Sequence, residues 1–177
     1  MCPLQKKISD ALKIQDEMYG DVLFGKISSD IGMKPISFSM DEPELFIKDF
    51  EQSSSLDELN SAIKDCLNCP LGSTRKKFVF GKGNPSADVM CIGEGPGADE
   101  DEKGEPFIGR AGQLLTDILK AINFSRDEIF IANIVKCRPP NNRTPFPNEI
   151  KECIPYLYKQ IDLIKPKVIL CLGLTAA

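Results

Sequence analysis

The chain has 177 residues, with 22 Lys and Arg against 26 Asp and Glu, 42% hydrophobic residues and no histidine. This length suits one ordinary domain with an extension, and the apolar fraction excludes wholesale disorder. The composition also excludes histidine-based catalysis and histidine metal ligands within these residues. No run of about 18 apolar residues occurs and no signal peptide is visible, which predicts no membrane segment and favours a cytoplasmic protein.

Charge is unevenly distributed along the chain. Residues 1–60 carry 6 Lys and Arg and 12 Asp and Glu, whereas residues 61–177 carry 16 and 14. The mildly basic second part is compatible with nucleic-acid binding. Residues 4–18 show a loose helical stripe, and the segment after them mixes Gly, Pro, Ser and acids without periodicity. We therefore predict an acidic extension and linker over residues 1–54 and a folded domain over residues 55–177.

The predicted domain begins with a capping box, Ser55-x-x-Glu58, and a helix that carries Cys66 and Cys69 at its C-terminal end. Strands and helices then alternate, which predicts an α/β fold with parallel strands covered by helices. Because the last residues follow a strand, where another helix should begin, we expect the chain to be the N-terminal piece of a longer protein. The predicted segments are a strand at 87–94, a loop at 93–106, a helix at 109–124, a strand at 129–137, a loop at 138–147, a helix at 148–165 and a strand at 167–173.

Four of the seven cysteines have a spacing that is typical of ligands. Cys66-x-x-Cys69 ends a helix, Cys137 ends a strand, and Cys153 lies one turn into the following helix. Four thiolates from two such pairs match a [4Fe–4S] cluster or a Cys₄ zinc site. The alternative is four independent buried cysteines, which are common in protein cores. The C-x-x-C spacing favours ligation.

A glycine-rich stretch, residues 93–98 (GEGPGA), follows the first predicted strand. It partly matches the dinucleotide pattern G-x-G-x-x-G/A, but the next helix starts about ten residues later and no acid ends the second strand. We interpret it as a close backbone approach to a flat ligand at the sheet edge, with an ordinary tight turn as the alternative. The acid run Asp99–Glu102 predicts a solvated loop of which one member faces the site. Phe107 is either a local anchor or a platform for stacking a base.

Asn133 is predicted to lie mid-strand between apolar residues. An unpaired buried Asn costs about 1–3 kcal/mol, so its amide needs partners from either the backbone or a ligand. Cys91 and Cys171 lie within apolar strands and are predicted to be small core residues, while Cys2 is assigned no role.

Basic residues cluster close to the cysteines in the sequence. A solvated surface and contacts to phosphate groups both account for them. They are Arg75-Lys76-Lys77, Lys82, Lys136, Arg138 and Arg143.

These motifs resemble those of the family 4 uracil-DNA glycosylases, iron–sulfur base-excision enzymes of bacteria and archaea. The resemblance runs from about residue 60 to the end, through CxxCPL (66–71), FGKGNPSADVMCIGEGPGADEDEKGEPFIGRAGQLL (80–115), IANIVKCRPPNNRTPFPNEIKEC (131–153) and KVILCLG (167–173). It implies a three-layer α/β/α fold around a four-stranded parallel sheet. It also implies a [4Fe–4S] cluster on Cys66, Cys69, Cys137 and Cys153.

The same resemblance implies residue roles. Glu94 and Asn133 are expected to be catalytic, Phe107 to stack on the base, and Asn133 to read it. Glu100 matches a further acid of the motif. The expected substrate-binding residues are Gly93, Gly95, Glu100, Phe107 and Asn133, and the expected contacts to the DNA backbone are Arg75, Lys77, Lys82, Arg138 and Arg143.

The function implied is hydrolysis of the N-glycosidic bond of uracil in DNA, which starts base-excision repair. The alternatives are a non-catalytic iron–sulfur module that binds DNA or a polymerase, and zinc in place of iron. A monomer that binds uracil-containing DNA and no membrane is expected, with an unknown protein as a candidate partner of the acidic extension. The family's His-Pro motif and fourth strand are not among these residues, so the fragment alone is expected to be inactive or impaired.

Overall fold

The structure is a computed structural model in which residues 49–177 are described. The predicted helical stripe over 4–18 and Cys2 lie outside the described residues. Within residues 49–177, short 3₁₀ turns lie at Asp49–Gln52, Arg126–Glu128 and Pro140–Asn142. The regular elements are α1 (Leu56–Ile63), α2 (Leu71–Thr74), β1 (Lys82–Gly83), β2 (Val89–Gly93), α3 (Ala98–Lys103), α4 (Arg110–Ala121), β3 (Ile129–Asn133), α5 (Pro147–Ile164) and β4 (Val168–Cys171).

The four strands form one sheet in the order β1-β3-β2-β4. The central strand β2 pairs in parallel with β3 and with β4, which confirms the predicted α/β fold with parallel strands. The two-residue strand β1 pairs antiparallel with β3, so the sheet is mixed rather than fully parallel. So short a strand gives no alternating pattern, and the sequence therefore gave no signal for it.

Helices pack on both faces of the sheet. One apolar cluster joins alternate strand residues, such as Met90 and Phe130, to Leu59 of α1 and Leu157 of α5. Side chains on a strand alternate between faces, so Cys91 points to the opposite side. The inner residues of α4 are also buried, and this helix supplies the third layer. The buried position predicted for Cys91 is confirmed.

The structure corrects two predicted segments. The acid run Asp99–Glu102 was expected to be a solvated loop, but it forms most of α3 and its Asp101 is buried. The Asp101 carboxylate accepts hydrogen bonds from the backbone N–H groups of Lys76 (2.9 Å) and Lys77 (3.4 Å). In a run of four acids, the sequence does not show which one is buried by an adjoining loop. The predicted strand 129–137 is also shorter, because β3 ends at Asn133, which is therefore its last residue and not a mid-strand residue.

Strand β4 lies at the sheet edge, and all four of its residues are exposed among the described residues. Cys171 was predicted to be a core residue, and this is wrong, because its side chain is exposed at that edge. An apolar run has the same appearance in a central strand and in an edge strand. Within residues 49–177, none of the helices combines the length and the apolar character needed to cross a bilayer.

Helix α5 begins with a buried carboxylate. Pro147 occupies the first turn, where its missing N–H costs no helical hydrogen bond. Glu149, only 1% exposed, turns back to accept a hydrogen bond from the Phe146 N–H at 2.7 Å. Both of its oxygens also bind Arg143, at 2.8 and 2.7 Å. The hydrogen bonds from Arg143 hold the pKa of Glu149 below its ordinary value of 4.5.

We expect the Arg143–Glu149 pair to make folding depend on pH. A lowered carboxyl pKa contributes stability above the ordinary pKa of 4.5, and this contribution is lost as the pH falls through the folded-state value. Glu149→Gln should therefore lower the free energy of unfolding at pH 7, and it should flatten the loss of stability on acidification. Urea unfolding measured from pH 7 to pH 3 tests this, with Asp117→Asn as the control, because that carboxylate is exposed on α4. Equal acid sensitivity of wild type and Glu149→Gln would contradict the assignment.

Candidate functional site

The ends of two parallel strands define the candidate site. Gly93, the last residue of β2, pairs with Asn133, the last residue of β3. The pairing continues past the strands, because the N–H of Ile134 donates to Gly93 O at 2.9 Å and that of Val135 donates to Glu94 O at 3.1 Å. In open α/β sheets this carboxyl edge is where ligands bind.

A cavity of about 260 Å³ opens at this edge. Five of the six residues predicted to be catalytic or substrate-binding line it, as does Arg143, which was predicted as a DNA contact. The sixth, Gly93, lies against two of the lining side chains. A Cβ atom at Gly93 would come within 2.6 Å of both Asn133 Oδ1 and the Phe107 ring, so only glycine leaves these two side chains in place. The lining residues are Glu94, Gly95, Pro96, Gly97, Glu100, Phe107, Ala111, Asn133, Pro139, Asn142 and Arg143.

Asn133 is the polar side chain that the cavity leaves without a partner. The residue is 2% exposed, and its Oδ1 atom has no hydrogen-bond partner among the described residues. A buried acceptor left unsatisfied costs about 1–3 kcal/mol. Of the two alternatives for Asn133, a ligand therefore accounts for its amide oxygen better than the backbone does.

The two acids of the cavity make different contacts. Glu100 accepts hydrogen bonds from the backbone N–H groups of Gly97 (3.1 Å), Ile108 (3.0 Å) and Gly109 (3.0 Å). Its carboxylate thus ties the glycine-rich loop to the segment that carries Phe107. Glu94 is half-buried and accepts a hydrogen bond from the Thr175 hydroxyl.

The four cysteines predicted as ligands line a second, separate cavity. Cys137 and Cys153 are buried, whereas Cys66 and Cys69 are half-buried in the segment that follows α1. The space between them is about 10 Å³, which is room for about one water molecule. Burial raises the pKa of Cys137 to about 11 and that of Cys153 to about 12.

Hydrogen-bond donors surround the sulfur atoms. Cys66 Sγ accepts from the Tyr156 hydroxyl at 3.2 Å and from the Asn68 N–H at 3.5 Å. Arg75 Nη1 donates to Cys137 Sγ at 3.3 Å, and the backbone N–H of Lys136 donates to Cys153 Sγ at the same distance. Such donors stabilise sulfur in its negatively charged form.

The predicted basic residues lie in different surroundings. Arg75 is held at the cysteine loop, where it also donates to the carbonyls of Cys66 (2.6 Å) and Lys64 (2.9 Å). Lys82 forms an exposed ion pair with Glu105, Lys77 is exposed, and Arg138 is half-buried. For these residues, contact with phosphate stays a prediction.

Lys136 corrects the interpretation of the basic clusters. It was grouped with residues of a solvated or phosphate-binding loop, but its side chain is fully buried. Its Nζ atom donates to Asn133 O at 2.8 Å and to Gln160 Oε1 at 2.6 Å. Burial lowers its pKa to about 8. Its position within a mostly apolar strand segment was a signal for burial. We overlooked this signal because Lys136 is close in sequence to Arg138.

Sequence reasoning missed other residues of the cavity. Pro96, Ala111, Pro139 and Asn142 line it. Asn142 has a left-handed backbone with φ of 54°, a conformation in which Asn is enriched, so the Asn141-Asn142 pair was a usable turn signal.

Sequence comparison with known proteins identifies the family of the chain. The sequence profile of the family described as "Uracil DNA glycosylase superfamily" matches residues 80–177. The type-4 uracil-DNA glycosylase of Archaeoglobus fulgidus is 49% identical over 123 residues, which cover 70% of this chain and 62% of that protein. The type-4 enzyme of Pyrobaculum aerophilum is 52% identical over 122 residues, which cover 69% and 62%.

A more distant relative is a DNA polymerase of Bacillus phage SP01, which is 35% identical over 98 residues, or 55% of this chain and 11% of that protein. The chain spans about three fifths of the length of the two type-4 relatives. The profile match covers more than half of the chain and includes both strands that form the cavity. The chain therefore belongs to the uracil DNA glycosylase superfamily.

Proposed function

We propose that the protein removes uracil from DNA by hydrolysing its N-glycosidic bond, the first step of base-excision repair. The observation that carries this proposal is the unpaired amide oxygen of Asn133, buried beside Phe107 in a cavity at the sheet edge. The names of the type-4 relatives support it. The non-catalytic alternative gives no reason for an orphaned acceptor in a pocket lined by an aromatic ring.

The Asn133 amide suits the edge of uracil. Uracil presents O4 as an acceptor and N3–H as a donor, which match the NH₂ and C=O groups of one carboxamide. Cytosine presents the opposite pair, so an amide held in this orientation rejects it. When the wrong base is flipped into a closed pocket, buried polar groups are left unpaired. The energetic cost of these unpaired groups discriminates strongly between uracil and other bases.

Phe107 and the glycines shape the pocket for a flat ring. Stacking on an aromatic side chain is worth about 1–3 kcal/mol per base. The Phe107 ring lies against Gly93, and a Cβ at Gly95 would come within 2.8 Å of Val135 Cγ2. The backbone can therefore lie close to the plane of a bound base.

Cleavage of the bond develops positive charge on the sugar and negative charge on the departing uracil. The half-buried Glu94 carboxylate lines the cavity and would stabilise the sugar cation, while donors to the base would stabilise the leaving group. A positioned water completes the hydrolysis, and no covalent nucleophile is needed.

Asn133 provides the direct test. In the full-length protein, Asn133→Ala should lower kcat/KM for uracil release by about 100-fold or more, because one preorganised polar group is lost at the leaving base. Binding to DNA without uracil should be unchanged, since the substitution removes no phosphate contact. Release of uracil is measured on single- and double-stranded DNA, and binding is measured at fixed salt.

Asn133→Asp is the matched variant, because it keeps the shape but replaces the NH₂ donor with a second acceptor. It should lose uracil release as Asn133→Ala does. Wild-type rates in both variants would exclude Asn133 as the base-reading residue.

We further propose that Cys66, Cys69, Cys137 and Cys153 hold a [4Fe–4S] cluster. The chemistry of the site fits: four soft thiol ligands line one cavity, and three of the sulfurs already receive hydrogen bonds. A single zinc ion would draw the sulfurs to about 3.8 Å apart around Zn–S bonds of about 2.3 Å.

A bound cluster would supply structural cross-linking between the segment after α1 and the residues around β3 and α5. Cys66 and Cys69 would hold it from the half-buried side, and Cys137 and Cys153 from the buried side. The cysteine cavity shares no residue with the uracil cavity, which supports a structural rather than a catalytic role.

Metal analysis distinguishes the two cofactors. Protein purified without oxygen should be brown and contain iron and acid-labile sulfide in equal amounts. Cys153→Ser should lose both and lower the thermal unfolding temperature. Cys91→Ser is the matched control, because Cys91 is buried away from this cavity and should leave the iron content unchanged. Zinc without sulfide would overturn the cluster assignment.

The proposed partner is DNA that contains uracil, bound by a monomer in the prokaryotic cytoplasm. Lys77, Lys82 and Arg138 remain candidates for phosphate contacts, since each is at least half-exposed or forms only a surface ion pair. Arg75 and Arg143 are engaged within the protein, so their proposed effect on DNA acts through the loops that they hold. The acidic extension is proposed to contact a protein partner.

A further inference from the structure

Phe107 has a backbone conformation that is unfavourable for its side chain. Its φ angle is 52°, in the left-handed region that bulky residues rarely adopt. The other non-glycine residues with positive φ in the described part of the chain are three asparagines and Lys165, the C-cap of α5. Such strain persists only where surrounding contacts hold it, and it clusters at ligand sites.

The guanidinium group of Arg126 provides the hydrogen bonds that hold this conformation. Arg126 Nη1 donates to Phe107 O at 2.9 Å, and Nη2 donates to Pro106 O at 3.0 Å. Nη1 also donates to Thr116 Oγ1 at 3.2 Å. The planar, always charged fork of arginine presents donors on two separate nitrogens to two successive carbonyls, whereas lysine has a single donor nitrogen.

Helix α4 closes the other side of the same carbonyl. A Cβ atom at Gly112 would lie 1.8 Å from Phe107 O, so the helix backbone lies directly against it. The Thr116 hydroxyl donates to Gly112 O at 2.9 Å, so it is oriented to accept from Arg126. A rotation of Phe107 into an ordinary backbone conformation would turn its carbonyl away from Arg126 and break these contacts.

We propose that Arg126 is a positioning residue, which holds the Phe107 backbone in its left-handed conformation and thereby fixes the ring for stacking on a flipped base. Arg126 does not line the cavity, so it acts through Phe107 and not by contact with the base. This inference rests on the proposed function for the stacking partner. The backbone clamp itself does not depend on it.

A double-mutant cycle in the full-length protein tests the proposal. Wild type, Arg126→Met, Phe107→Ala and the double variant are compared in kcat/KM for uracil release. Phe107→Ala should lower kcat/KM about 10-fold or more, the order expected for one lost stack. Arg126→Met should lower it several-fold but by no more than Phe107→Ala, and the double variant should equal Phe107→Ala, because the arginine has nothing left to position.

Controls separate positioning from folding. Lys120→Met removes an exposed cation from α4 and should leave kcat/KM unchanged. Arg126→Lys retains the charge but satisfies fewer carbonyls, so it should give an intermediate loss. If Arg126→Met does not fold, Arg126→Lys takes its place in the cycle. The clamp would be overturned if the losses of kcat/KM from the Arg126 and Phe107 substitutions multiplied in the double variant. It would also be overturned if neither Arg126→Lys nor Arg126→Met changed kcat/KM.

A crystal structure of the Arg126 variant distinguishes the two proposals. The clamp predicts that Phe107 leaves the left-handed region, with a negative φ and a displaced ring. If wild type releases no uracil, the proposed function fails while this structure still decides the clamp. An unchanged Phe107 φ in the variant would reject the clamp whatever the activity.

Discussion

The parallel pairing of β2 with β3 is the constraint on which the site depends. Its register places Gly93 beside Asn133 at the point where both strands end. A shift by one residue would turn the Asn133 side chain to the opposite face of the sheet, because successive side chains alternate. The register is fixed by burial on both faces, since every residue of the two strands is buried. The packing of the core and the position of the Asn133 amide are therefore set by the same hydrogen-bond ladder.

The two cavities are joined by a short piece of backbone. Asn133 lines the cavity at the sheet edge, and Cys137, four residues later, lines the cysteine cavity. Lys136 lies between them, with its ammonium on the Asn133 carbonyl and its N–H on Cys153. A buried cation is tolerable only when its hydrogen bonds are satisfied, and the Gln160 amide completes this network by donating to Phe80 O at 2.9 Å. The geometry of one site is thus anchored to the framework of the other without any shared ligand.

The loop between β2 and α4 shows how few side chains organise the cavity wall. Glu100 gathers three backbone N–H groups, and Asp101 holds the segment at Lys76 and Lys77. The ion pair with Glu149 likewise holds Arg143, which lines the cavity. These are charge-assisted hydrogen bonds to backbone or to a forked partner, which are stronger than neutral ones and define orientation. Charged residues that would be read as surface features therefore shape the interior of the pocket.

The sequence by itself determined the order of the helices and main strands, the ligand spacing of the cysteines, and the identities of Asn133 and Phe107 as unusual residues. These features are local, because periodicity, capping and spacing are encoded within a few turns or strand lengths. Tertiary structure alone decided that β1 completes the sheet, that Asp101 and Lys136 are buried, and that Cys171 is exposed. It also decided that Arg126 holds Phe107 across 19 residues of chain. Burial and long-range hydrogen bonds depend on which segments meet in space, and no pattern along the chain records that.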